Sequence, residues 1–175
     1  SVLNETVGLQ LLVDDLLHLA RSDAAATDIV GVAVDLDDIV LDETRRLATR
    51  GRVAVETHAV SAAAVVGVPS QLTRAVQNLL DNAERHAATT VTISLAELNG
   101  IAVLTVSDDG AGIPPDKRTE IFERFTRLDD ARTRNSGGTG LGLAITRDIV
   151  QRHHGTIRLA DTPTTTFVVE LPTRP

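Results

Sequence analysis

A chain of 175 residues, 42% hydrophobic and 23% charged, can fill one good core and carry an appendage. Its lack of cysteine excludes a disulfide framework, a thiolate metal site and a thiol nucleophile. A formal charge of −7 argues against nonspecific nucleic-acid binding, which needs Lys and Arg facing phosphates, so an anionic ligand requires locally placed basic side chains.

No apolar run approaches membrane-spanning length and no signal-peptide pattern opens the chain, so the cytosol is the expected compartment. The sequence starts at Ser1 inside a helical pattern and reads as a piece of something longer. Residues 2–20 place Val2, Leu9 and Leu16 seven apart, with Val13 and Ala20 completing a stripe. A helix lying on its own domain would show that stripe too, but Leu12, Leu17 and Leu19 need burial on a second side and favour one arm of a helical bundle. Residues 21–31, small and polar, read as a hinge.

Beyond the hinge the pattern predicts a short strand at 32–34 and a helix over 36–50, acidic at its start (Asp37, Asp38) and basic at its end (Arg45, Arg46, Arg50), as the helix dipole favours. Strands are expected at 52–57 and 63–67, then a helix over 71–88 with Ser70 as N-cap. Two alternating runs joined at Asn99-Gly100 give a hairpin. Residues 114–136 are charged, enter through Pro114-Pro115 and carry one short helical piece near 116–124; Lys117, Arg118, Arg124, Arg127, Arg132 and Arg134 supply the local basic side chains. So long a loop within a compact domain is usually functional. A helix to about 154, stopped by Gly155, and strands near 156–160 and 166–171 complete the chain. Without regular βαβ alternation, this order predicts an α+β fold: a mixed sheet with helices stacked on one face.

Three stretches carry chemistry. On the 71–88 helix, Leu72, Val76, Leu79, Leu80 and Ala83 form the core face, while Asn78, Asn82 and Arg85 recur at i, i+4 and i+7 as a polar stripe. Asn is a mediocre helix residue, and its side-chain oxygen is a hard ligand suited to Mg²⁺; an exposed polar pair would look the same. In "SDDGAGI" (107–113), Asp108 ends a strand and Gly110 and Gly112 free the backbone to turn. A carboxylate there suits an exocyclic amine such as that of adenine, at roughly 1.5–3 kcal/mol, and rejects the guanine carbonyl. In "GGTGLGL" (137–143), dense glycines precede a helix, an arrangement that lets backbone amides close on an anion.

Taken in order, "NLLDNAERHA" (78–87), "DDGAGI" (108–113), "IFERF" (121–125) and "GGTGLGL" (137–143) resemble the N, G1, F and G2 boxes of the nucleotide-binding domain of sensor histidine kinases. That family shares a superfamily with gyrase, the Hsp90 chaperones and MutL. "LVDDLLHLARSD" (12–23) resembles the second helix of the dimerisation and phosphoacceptor domain.

The resemblance implies a Bergerat ATP-binding fold, a two-layer α/β sandwich with three helices on one face of a mixed sheet, preceded by one long helix. It divides the chain into a phosphoacceptor-hairpin helix (1–22), a hinge (23–31) and a catalytic domain (32–175) with a lid at 114–139. It implies ATP and Mg²⁺ as ligands, with Asn82 on the metal, Asn78 one turn away and Arg85 near the phosphates. Asp108 would bind the adenine amine, Gly110, Gly112 and Ile113 would form the pocket wall, and Phe125 and Arg127 would reach in from the lid. Gly138, Thr139, Gly140, Leu141 and Gly142 would bring backbone up to the triphosphate. The implied partners are the phosphoacceptor histidine helix of the same protein, a response regulator and a second copy in the full-length protein; no nucleic acid is expected, and the parent is open to membrane anchoring.

One position separates kinase from hydrolase. The ATPases of the superfamily carry a Glu four residues before the metal-binding Asn as general base; here Asn78 stands there and takes no proton at neutral pH. That favours phosphoryl transfer to a histidine. None of His18, His58, His86, His153 or His154 has the phosphoacceptor context, so the chain is expected to bind ATP without phosphorylating itself. His153 and His154 suit a helix C-terminus electrostatically. The family's Gly-x-Gly-Thr near the C-terminus is replaced by "DTPTTTF" (161–167), implying a shortened final turn. The rival readings are a gyrase-type ATPase and a nucleotide-gated binding module or anti-sigma-type serine kinase.

Overall fold

A computed structural model of the chain describes residues 31–126 and 140–173. The expected helix at 2–20, nearly all of the hinge, and Arg127, Arg132, Arg134, Gly137, Gly138 and Thr139 lie outside the described residues.

The order of elements is β1 (Val32–Asp35), α1 (Leu36–Arg50), β2 (Ala54–Val60), β3 (Ala64–Gly67), α2 (Pro69–His86), β4 (Thr90–Leu98), β5 (Ile101–Asp108), α3 (Gly142–Arg152), β6 (Thr156–Leu159) and β7 (Thr165–Pro172). Five strands form one sheet in the order β2-β4-β5-β7-β6, and β1 pairs with β3 in a separate ribbon. Only the β2–β4 pair of the large sheet is parallel; β4–β5, β5–β7 and β6–β7 are antiparallel. The sheet is therefore mixed, and the class is α+β.

Period-two patterning sets the buried face of the sheet. Val91, Ile93 and Leu95 of β4, Ala102, Leu104 and Val106 of β5, and Phe167, Val169 and Leu171 of β7 are buried. Against them lie Leu36, Val40 and Leu47 of α1 and Leu72, Val76, Leu79, Leu80 and Ala83 of α2 in one continuous core. A second apolar group joins Ala75 of α2 to Leu141, Ile145 and Ile149 at α3. Truncating a fully buried leucine such as Leu79 to alanine costs about 2–5 kcal/mol.

Several local expectations are corrected. The α2 helix opens with Pro69 at its first turn, and Val68 rather than Ser70 is the N-cap, without a side-chain hydrogen bond. Proline lacks an N–H that would be unpaired there anyway, and its fixed φ suits the first helical position. The helical piece near 116–124 is two 3₁₀ turns, Pro115–Lys117 and Glu120–Phe122. The α3 helix ends at Arg152 with His154 in the left-handed region (φ 59°). Gly155 is demanded instead by a close approach, since a Cβ there would lie 2.3 Å from the Glu170 carbonyl oxygen. The hairpin is as expected: Asn99 (φ 52°) and Gly100 (φ 80°) form the two-residue turn between β4 and β5. Arg50, besides ending α1, ties that helix to α2 through Asp81 (2.6 Å) and Glu84 (3.0 Å).

Candidate nucleotide site

The α2 helix is the spine of the site. Its core face is buried as expected, which leaves Asn78 and Asn82 half-buried and Arg85 exposed at the side. Asn78 Nδ2 donates to the Gly142 carbonyl (3.1 Å), the same oxygen that accepts from the Thr146 hydroxyl (2.8 Å). The amide of α2 is thereby joined to the first residue of α3. Further along α2, the His86 carbonyl oxygen lies so close to Gly110 that a Cβ there would be 2.1 Å away. Residues 78, 82 and 86 recur at i, i+4 and i+8, so Asn82 sits between these two contacts, about 6 Å along the axis from each.

Asp108 ends β5 and is only 2% exposed. Its Oδ1 accepts from the Gly110 N–H (3.0 Å), while Oδ2 is buried with no partner. Burial pushes its carboxyl above the ordinary value; the Gly110 amide and the Thr165 hydroxyl pull the other way, and the neighbouring Asp109 charge adds to the rise. A buried carboxylate oxygen without a donor is costly, which makes it a strong acceptor for a ligand that brings an N–H.

Asp109 has the opposite character. Its Oδ1 accepts from the backbone N–H groups of Ala88, Thr89 and Thr90, each at 2.9 Å, and the Thr89 hydroxyl donates to Oδ2. The Thr89 hydroxyl and these amides hold the carboxyl far below the usual carboxylate range. It staples the exit of α2 to the start of β4, next to Asp108. Gly112 (φ 75°) lies against the Pro163 carbonyl, and Ile113 packs half-buried on the core. Arg118 holds this segment down, donating from Nε to the Ile113 carbonyl (3.4 Å) and pairing with Asp161 (2.7 Å).

In "IFERF", Ile121 and Phe122 are buried, and Phe122 meets Phe167 edge to face with centroids 6.1 Å apart. Phe125 is 62% exposed and takes φ 64°. Its N–H donates to the Gly140 carbonyl (3.0 Å), and Gly140 (φ 70°) leads into the fully buried Leu141. Phe125 and Gly140 are thus pinned together beside α3.

An orphaned carboxylate at a glycine turn thus lies on the same side of the fold as a glycine-flanked helix start bonded to the asparagine helix. Residues 67–175 match the family described as histidine kinase-, DNA gyrase B- and HSP90-like ATPase. The chain belongs to that family. It is 36% identical over 171 residues to the sensor-like histidine kinase SenX3 of Mycolicibacterium smegmatis, covering 94% of this chain and 44% of SenX3. Among solved structures it superposes on a mycobacterial sensor histidine kinase MprB with TM-score 0.72 and 35% identity, covering 83% of this chain and 99% of that one. The ATP-binding domain of PrrB from Mycobacterium tuberculosis follows at TM-score 0.69 and 28% identity, with 83% and 99% covered. The chain spans less than half the length of its curated relative SenX3.

As a member of the histidine kinase-like ATPases, the chain has residues near its site that sequence reasoning passed over. Asp109 was visible as the second acid of "SDDGAGI", but its three amide donors come from residues 88–90, a contact across the fold. Thr165 pairs with Asp108 across β5 and β7. The buried aromatic anchor is Phe122, one turn before Phe125. His153 is the C-cap of α3 and its Nδ1 meets the Ile149 carbonyl (2.7 Å), but the ring is buried and desolvation disfavours its charged form. No helix among the described residues is long and apolar enough to cross a membrane.

Proposed function

We propose that this chain is the ATP·Mg²⁺-binding catalytic part of a sensor histidine kinase, which passes the γ-phosphoryl group to a histidine on a dimerisation helix pair. The observation that carries it is the orphaned Oδ2 of Asp108, buried at the end of β5. An adenine amine donates there, and the charge-assisted bond supplies roughly 1.5–3 kcal/mol of recognition.

Asn82 fits a metal role by its chemistry. Its oxygen is hard, and its side chain has no hydrogen bond to another described residue. Among the described residues no group of three or more His, Asp or Glu could hold a cation unaided, so a metal here relies on phosphate oxygens. Bound Mg²⁺ would neutralise triphosphate charge. On this reading Gly138, Thr139, Gly140, Leu141 and Gly142 would offer backbone amides to the phosphates, and Arg85 and Arg127 would add positive charge.

Asn78 has its amide on Gly142 and holds no proton acceptor of useful strength, so it cannot serve as the general base that activates water. The attacking nitrogen is instead a neutral imidazole from the phosphoacceptor helix. Its bond to the γ-phosphorus forms as the bond to the bridging oxygen breaks, and ADP leaves. The division into 1–22, 23–31 and 32–175, the lid at 114–139, the homodimeric and membrane-anchored options for the parent, and the response regulator belong to the same reading.

The test mixes the chain with a separately made phosphoacceptor helix pair and γ-labelled ATP. Label on the pair's histidine supports the kinase. Binding without transfer points to a nucleotide-gated module, release of inorganic phosphate to an ATPase, and label on a serine to an anti-sigma-type kinase. No label is expected on His18, His58, His86, His153 or His154.

A further inference from the structure

The α2 and α3 helices are joined by two polar rungs. One is the Asn78–Gly142 bond at the start of α3. The other lies past its far end, where the buried His153 ring reaches across to the residue before α2. Val68 N–H donates to His153 Nε2 (3.1 Å), and His153 Nδ1 faces the Ile149 carbonyl at 2.7 Å. Each bond fixes the tautomer the other needs: Nδ1 carries the proton and Nε2 accepts. The ring lies flush on the backbone, since a Cβ at Gly67 would sit 2.4 Å from His153 Cδ2. At 1.5 Å per residue, the ten residues from Val68 to Asn78 separate the rungs by about 15 Å. Between them Leu72, Ala75, Ile145 and Ile149 are buried.

We propose that His153 is a positioning residue for the nucleotide cleft: its neutral ring braces α2 against α3, and proton uptake by the ring breaks the brace and loosens the cleft. The inference rests on reading the Asn78–Gly142 end of this helix pair as the nucleotide site. A protonated Nε2 is a donor facing the Val68 donor, and neither has another partner in so tight a seat. On its own helix the neighbouring His154 opposes protonation of the ring, and Arg152, which precedes it in the chain, is paired with Asp148 (3.1 Å). Gly67 and Val68, which meet it from the β3–α2 side, carry no ionisable atom.

Burial also disfavours the charged ring, so the brace is complete near neutrality and is lost as pH falls through the folded value, which lies below the ordinary histidine value of 6.5. Three forms of the chain decide the matter: the unaltered protein, His153→Gln and His153→Leu. A Gln oxygen accepts from Val68 without titrating, whereas Leu cannot accept at all. Each is titrated with trinitrophenyl-ATP and Mg²⁺ between about pH 7.5 and about pH 5.5. The expected result is about tenfold weaker binding for His153→Leu at neutral pH, near-normal binding for His153→Gln, and an acid loss in the unaltered protein that His153→Gln lacks. The probe's own phosphate protonation enters every profile and cancels in the ratio.

Parallel acid loss in the unaltered protein and His153→Gln overturns the proposal, as does full affinity of a folded His153→Leu. If His153→Leu fails to fold, the Gln comparison still decides. Absence of binding by every form overturns the nucleotide reading instead. The brace is then judged from Tm: an acid drop absent from His153→Gln upholds it, and equal drops sink it.

Discussion

At the scale of single residues, two neighbouring carboxylates do opposite work because their surroundings differ. Asp108 keeps one oxygen without a donor, whereas Asp109 is saturated with them. Asp108→Asn should weaken adenine-nucleotide binding by roughly 1.5–3 kcal/mol, read by titration with a fluorescent ATP analogue. The same change removes a buried carboxylate whose charged form burial penalises, so the Tm of the unliganded chain should hold steady or rise. Asp109→Ala should do the reverse. It strips the acceptor from three backbone amides and lowers Tm in the absence of nucleotide. Asn82→Ala should abolish the Mg²⁺-dependent part of nucleotide binding while the far-ultraviolet circular dichroism stays unchanged, because Asn82 lies off the core face of α2.

At the scale of elements, α2 presents one face to the core and a side line of contacts to the site, from Asn78 at Gly142 to the His86 carbonyl at Gly110. Gly110→Ala should raise the nucleotide Kd at least about tenfold, since the clash is with a backbone carbonyl that cannot swing aside. The periodicity of α2 was legible because Leu72, Val76, Leu79, Leu80 and Ala83 repeat at helical spacing, and the β4–β5 hairpin because Asn99-Gly100 admits few other turns. Local pattern could not show Val68 as the N-cap, because Ser70 is the better capping residue by type and Pro69 decides by position. Nor could it show the roles of His153 and Asp109. Their partners lie 85 and about 20 residues away, and such pairings come only from the folded chain. The broken helix near 116–124 follows from Ile121 and Phe122 being drawn into the core.

For the whole molecule, pH and ligand act on the same balance. The Asp109 carboxyl lies below its unfolded value, so its contribution is complete above about pH 4 and is lost as pH falls through the lower folded value. Acid unfolding followed by circular dichroism should therefore shift to higher pH in Asp109→Ala. Nucleotide adds stability by mass action: at about one hundred times Kd the gain is about 2.7 kcal/mol, or about 5–10 °C in Tm for a chain this size. Asp108→Asn should erase most of that rise at fixed ligand concentration. The chain also has a convenient far end. The β4–β5 turn closes the sheet seven residues along β5 from Asp108, about 23 Å away, and Leu98 beside it is 60% exposed. With no native thiol anywhere in the sequence, Leu98→Cys would offer a single attachment point for a dye or a surface tether, leaving the Asp108 end facing free solution.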